Sequence, residues 1–206
     1  MSAFDPLRTF AVPGDPTSMT PPENAKLAYN ELVRLWGNRP TVFRHGDEAE
    51  LNFVNIAHLE GSPVNGVTAV ATLGLSDHDL GLGKVRIELI GAFPSSFKEG
   101  VNVAATCAFN AIKDGVPTVP EAIHPSVLSL YRSEPALAHI MLVDPFLWND
   151  GPSTLDAHGS KIAWLMMVPI SESERAFAVE QGGAALASRF EQAQIDIFNL
   201  DRPSVV

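Results

Sequence analysis

The chain has 206 residues, 46% of them hydrophobic, which is enough for one domain with a substantial core and too few for two full ones. Twenty-four acidic residues against 14 basic ones give a formal net charge of -10, which repels phosphates and anionic lipid and so excludes generic nucleic-acid or membrane-surface binding. A single cysteine, Cys107, excludes an intramolecular disulfide and a cysteine-built zinc cage, and it suits the reducing cytoplasm.

The amino-terminal stretch MSAFDPLRTFAVPGDP lacks the basic start and unbroken apolar run of a secretory signal, so no export is expected. With Pro6, Pro13 and Pro16 it reads as an extended arm over residues 1–20, and residues 21–206 read as a single domain. Thr20 and Glu23 have the spacing of a capping box, with Pro21 at the first helical position. The helix continues through Ala25, Ala28, Tyr29, Leu32 and Trp36 and stops at Gly37. Leu51, Phe53, Ala57 and Leu59 then alternate as a strand, closed by Gly61, Pro63 and Gly66. Val67 to Leu75 and Lys84 to Ile90 follow, the latter setting Val85, Ile87 and Leu89 against Arg86 and Glu88, and together these predict an antiparallel meander.

Ser96 and Glu99 signal a second capping box, before a helix with Phe97, Val101, Ala104, Ala105, Ala108 and Ile112 on one stripe and Gly115 as its end. The runs Leu137 to Val143 and Lys161 to Ile170 are almost wholly apolar, as strands buried on both faces are. The longest, Ile162 to Ile170, is far short of the roughly twenty residues of a membrane-spanning helix. Ser171 and Glu174 form a third capping box, opening a helical region broken at Gly182 and Gly183 and resumed from Ala184 to about Ile195. The fold class is therefore α+β: a mixed, partly antiparallel β-sheet flanked by helices.

Motifs for chemistry are sparse. Gly81-Leu82-Gly83-Lys84 lacks the first glycine and the Ser/Thr of a phosphate loop and leads into a strand, so it reads as a hairpin turn. Ser76, Asp77 and His78 are the residue types of a hydrolytic triad, but consecutive side chains cannot line up as nucleophile, base and orienter. A small hydrolase using Ser76, His78 and distant acids would need them to converge in a pocket. Asp77-His78-Asp79 has no second ligand pair at metal-binding spacing, so neither metal nor cofactor is expected, and Cys107 reads as a buried structural thiol. Phe146-Leu147-Trp148, set among Asp144, Asn149 and Asp150, either tucks under its loop or presents an aromatic anchor rimmed by acid.

The strings GVTAVATLGLSDH (66–78), RIELI (86–90), HIMLVDPFLW (139–148), WLMMVPISESERAFAVEQG (164–182) and the closing DRPSVV resemble the suppressor of fused family, particularly its compact single-domain bacterial members. The resemblance runs in order from about Ala25 to the end, and its most specific pieces are the strand entering V-P-I-S-E-x-E and the final R-P-S-V. It implies a mixed sheet flanked by helices and no catalytic activity. Larger animal relatives bind a short extended peptide of Hedgehog-pathway transcription factors between two domains, for which 206 residues leave no room. Bacterial single-domain members act largely as immunity proteins that neutralise toxins by direct binding. Asp144, after the HIMLV strand, is the one partner-contact position the resemblance carries over.

The leading expectation is a non-catalytic domain that sequesters a protein partner, a basic toxin, through an acidic face including Asp77, Asp79, Asp144, Trp148 and Asp150. The competing readings are a regulatory module that binds peptides at an open sheet edge, and the small hydrolase.

Overall fold

The computed structural model describes residues 22–47 and 52–206. Helix α1 (Glu23–Trp36) is followed by β1 (Thr41–Gly46), β2 (Phe53–Glu60), β3 (Val67–Leu73) and β4 (Val85–Pro94), then α2 (Gly100–Asp114). The second half holds β5 (Ile123–His124), β6 (His139–Val143), β7 (Leu155–Ala157), β8 (Ser160–Ile170), α3 (Glu172–Gln181) and α4 (Gly183–Ala193). The strand order is β1-β2-β3-β4-β8-β6-β5, with β7 paired to β8. Among the described residues only β4 and β8 run parallel, from Val85 opposite Lys161 to Gly91 opposite Met167, and every other pairing is antiparallel. The mixed, partly antiparallel sheet expected from the sequence is present, and its pairings are mostly antiparallel.

Alternate residues of the central strands feed two cores, one on each face. Val70, Leu89, Ile140, Leu165 and Met167 pack beneath α2 through Val103, Ala104, Cys107 and Ala108. Ala69, Ile90, Met141, Met166 and Val168 face the other way, under Ala28, Leu32 and Trp36 of α1, Ala178 of α3 and Leu186 of α4. Burial on both faces is why β6 and β8 read as unbroken apolar runs.

The structure corrects two predicted helix starts. Pro22 precedes α1 with no side-chain cap, so Glu23 is the first helical residue and stands too early to close a capping box. Thr20, Pro21 and the 1–20 arm lie outside the described residues. Likewise α2 begins at Gly100, because Phe97 is used before the helix: its N–H donates to Pro94 O (2.8 Å) and its ring packs at 5.7 Å from that of Phe93. Gly100 is needed there, since a Cβ would stand 2.9 Å from Phe93 Cδ2. The third box forms as expected, with Ser171 Oγ accepting from Glu174 N and Glu174 Oε2 accepting from Ser171 N. Strand β1 was not anticipated: four consecutive exposed residues give it no alternation to read.

Candidate partner-binding site

Strands β3 and β6 finish, and β4 and β8 begin, at one end of the sheet. The β3–β4 connection, carrying Asp77 and Asp79, and the segment after β6, carrying Asp144 and Asp150, therefore emerge at the same end. Helix α1 spans it: Asn24 Nδ2 donates to Ser76 O (3.2 Å), and Arg34 Nη2 donates to Asp150 O (2.9 Å). Ten residues of helix separate those anchors by about 15 Å. All four aspartates are exposed, and Asp79 is paired with Arg86 at 3.2 Å. Partial desolvation of its carboxyl beside α1 raises the pKa of Asp77, against the pull of His78, Asn24 and Arg86.

The segment after β6 is held from beneath. Glu31 of α1 accepts from Ser153 N (2.6 Å) and from both Nε (2.9 Å) and Nη2 (2.6 Å) of Arg34, while Trp164 Nε1 donates to Ser153 O (3.1 Å). Trp148 turns into the α1-side core at 8% exposure, which removes it from the expected surface. Phe146 takes the outward position at 60% exposure.

Beside Phe146 lies a groove of about 690 Å³ between the sheet and α4. Its floor is Met141, Val143 and Val168, and its far wall is Ala187, Phe190 and Ile197. Glu121, Asp144 and Glu191 stand on its rim, all exposed and, among the described residues, without an ion-pair partner. Glu121 lies against the first turn of α4: a Cβ on Gly183 would stand 2.5 Å from Glu121 Cβ, so only glycine allows that approach.

The C-terminal wall is pinned by one buried ion pair. Glu174 accepts from Arg202 Nη1 (2.6 Å) and Nη2 (3.0 Å) and from Val205 N (3.2 Å), and both side chains are buried. Arg202 also donates to Pro169 O (3.1 Å), and its guanidinium lies 5.1 Å from the ring centre of Phe190 in the groove wall. One glutamate thus caps α3 and fastens the R-P-S-V segment, so the two most specific strings of the chain are parts of one joint.

Glu88, which alternation sets with Arg86 on the face of β4 opposite Val85, Ile87 and Leu89, is fully buried. It accepts from Thr72 Oγ1, Gly74 N (2.8 Å), Ser76 N (3.2 Å) and Ser76 Oγ (2.6 Å). Burial pushes its carboxyl above the ordinary range, against those four bonds. Ser76, with its hydroxyl committed to Glu88, is 1% exposed, so it presents no nucleophile beside His78. Cys107 is buried, which raises its thiol far above the nucleophilic range. Among the described residues no three His, Cys, Asp or Glu side chains gather as metal ligands, and no helix is long and apolar enough to cross a membrane.

An open mixed sheet clad by helices on both faces, with an acid-rimmed apolar groove at one end, defines an α+β domain whose distinctive chemistry lies on its surface. The family model for suppressor of fused protein matches residues 48–203. The chain is 35% identical over 185 residues to immunity protein YqcF of Bacillus subtilis strain 168, an alignment covering 88% of this chain and 96% of that protein. It belongs to the suppressor of fused family. Among solved structures it resembles a suppressor of fused homologue from Neisseria gonorrhoeae FA 1090 (TM-score 0.67, 13% identity, 89% of this chain and 97% of that one). It also resembles a chain of a Sufu-Fu complex (TM-score 0.67, 14% identity, 90% and 93%) and Drosophila Suppressor of Fused (TM-score 0.64, 13% identity, 93% of this chain and 54% of that one).

Proposed function

We propose that this protein is a non-catalytic, immunity-type binding protein that acts in the cytoplasm by sequestering a cognate bacterial toxin. The observation that carries the reading is the apolar groove rimmed by Glu121, Asp144 and Glu191, three carboxylates without ion-pair partners among the described residues, with Phe146 exposed at its lip. An aromatic anchor beside a pocket, ringed by one sign of charge, is the chemistry that docks a basic protein surface: the charge steers encounter and the apolar contact slows release. Asp77, Asp79 and Asp150 add to the same negative field from the neighbouring loops. The relative named an immunity protein supports this assignment over a regulatory peptide-binding module.

The test is rescue from the toxin encoded by the adjacent gene, together with a binding measurement at two salt concentrations. Wild-type protein restores growth and binds the toxin with an on-rate that falls as salt rises. Phe146→Asp and the pair Asp144→Lys, Glu191→Lys abolish rescue while melting like wild type, because all three residues are exposed. Rescue by these variants at wild-type levels would remove the groove from the interface, and failure of the wild type to bind any toxin from its neighbourhood would refute the function.

A further inference from the structure

The acid-rimmed groove is walled by a single face of α4. Ala184, Ala187, Ser188, Glu191 and Gln194 line it, and their three- and four-residue steps keep them on that face over about 15 Å. The first two turns of the face carry only alanine and serine toward the groove. Ser188 Oγ donates to Ala184 O (3.1 Å), so its proton is spent within the helix and the wall offers no free donor there. Side chains this small let the axis of a neighbouring helix approach to the short end of the usual packing distance, about 8–10 Å.

The floor strand has both of its ladders occupied. On one side β6 pairs with β8 along His139–Val143; on the other it meets β5 and the residues before it, where Leu142 O accepts from Glu121 N (2.7 Å) and Leu142 N donates to Ala122 O (2.8 Å). An extended segment laid in the groove would therefore bring its backbone N–H and C=O groups against Val143, Phe190 and Ile197 with nothing to pair them. A helix closes those bonds within itself. The rim charges are spaced for the same element. Glu121 packs against Gly183 at the start of α4, and Asp144 comes two residues after Leu142, to which Glu121 is bonded. Glu191 stands eight residues after Gly183, about 12 Å further along the wall.

Building on the toxin-binding reading, we infer that the groove takes an amphipathic helix of the partner, laid beside α4 with its apolar face inward and with basic residues seven or eight positions apart. Seven residues of helix rise about 10.5 Å, which sets one cation near Glu121 and Asp144 and the next at Glu191. Between them, apolar side chains at three- and four-residue steps meet Val143, Phe190 and the exposed ring of Phe146. Charge weighs against the occupants nearest at hand. The chain's own residues 1–21 hold Arg8 against Asp5 and Asp15, and a second copy brings another net charge of -10 to an acidic rim.

Fluorescence anisotropy on the full chain tests this, with stapled helical peptides of about 15 residues as probes. Each carries lysines seven positions apart around leucine, methionine or phenylalanine anchors, and each is compared with an unstapled analogue broken by a central proline. At least one probe binds about tenfold or more tighter than its proline analogue, and added salt weakens it. Ser188→Trp fills the small face from an exposed position and weakens that binding about tenfold while melting like wild type, whereas Ser188→Ala binds as the wild type does. Amide chemical shifts of Ala187 and Ser188 in the wild type move on titration, a readout that needs no variant to fold. No binding by any probe at millimolar concentration, equal binding by the proline analogue, or shifts that leave Ala187 and Ser188 unmoved would overturn the inference. Rescue from the toxin without probe binding would overturn the helix alone and leave the immunity reading standing. Probe binding at these residues with no toxin bound would support the helix and count against that reading.

Discussion

Replacing Arg202 by methionine keeps the bulk of the side chain and removes only its charge and donors. Glu174, fully buried, then loses two of its four hydrogen bonds and keeps those from Ser171 N and Val205 N, leaving a carboxylate in the core with no cation. Breaking a buried pair from one side costs about 3–5 kcal/mol, because the remaining charge is neither solvated nor neutralised. The loss of the bond to Pro169 O and of the guanidinium over Phe190 argues for the middle of that range, about 4 kcal/mol. For a chain of this length each kcal/mol moves Tm by about 2–4 °C, so Arg202→Met melts about 8–16 °C below wild type. The double variant Arg202→Met, Glu174→Leu removes both charges, and its loss falls short of the sum of the two single losses by more than about 1 kcal/mol. Calorimetric melts of the four proteins measure all of this. A single-variant loss under about 1 kcal/mol, or strict additivity in the cycle, would refute the claim that this pair locks the C-terminal segment.

Three further expectations follow from groups outside that joint. Burial holds both His124 and His139 below the ordinary imidazole pKa, His124 at about 4, so the unfolded chain takes up protons that the native state refuses. Stability is complete above about pH 6.5 and declines toward pH 4, by about 3 kcal/mol for His124, and urea titrations should show a shallower decline in His124→Leu. Glu88 acts in the opposite sense, its raised pKa favouring the fold on acidification. Glu88→Leu strips the acceptor from Thr72, Gly74 and Ser76 and costs about 2–4 kcal/mol in thermal melts, whereas Glu88→Gln keeps an acceptor and costs less. Glu31→Ala releases Ser153 and Arg34, so amide exchange across residues 149–154 accelerates with a loss of only about 1 kcal/mol, and unchanged exchange would contradict the clasp.

The strands β6 and β8 were legible because burial on both faces leaves a continuous apolar record, and the meander because its turns are marked by glycine and proline. Three S/T-x-x-E strings carried the same local signal; Thr20 of the first lies outside the described residues, and of the other two Ser171/Glu174 alone forms the box. At Ser96/Glu99 the ring of Phe97 is drawn back onto Phe93 at the end of β4, and this tight turn out of the strand displaces the capping preference. Strand β1 left no period because its exposed face and its exposed edge look alike in sequence. In the 144–150 loop, composition identified an aromatic cluster next to acid but could not tell which ring turns inward, and packing against the α1-side core chose Trp148. Alternation set Glu88 with Arg86 opposite Val85, Ile87 and Leu89 but could not show its burial, since its acceptor role depends on Thr72 and Ser76, which register alone brings beneath it. Glu121 and Glu191 were missed because a groove wall assembled from distant elements has no sequence spacing.

The parallel seam between β4 and β8 has a consequence in time as well as in space. Strands β1 to β4 pair with their immediate neighbours, but Val85 must wait for Lys161, 76 residues later, before its outer edge is occupied. At about 5–20 residues per second of synthesis, β4 spends roughly 4–15 s with that edge exposed. Long-range pairing of this kind is also the slow element of a folding reaction. The emerging chain therefore passes through an interval in which an almost wholly apolar strand is a template for any other chain nearby, and chaperone demand should concentrate in that interval and end when β8 docks.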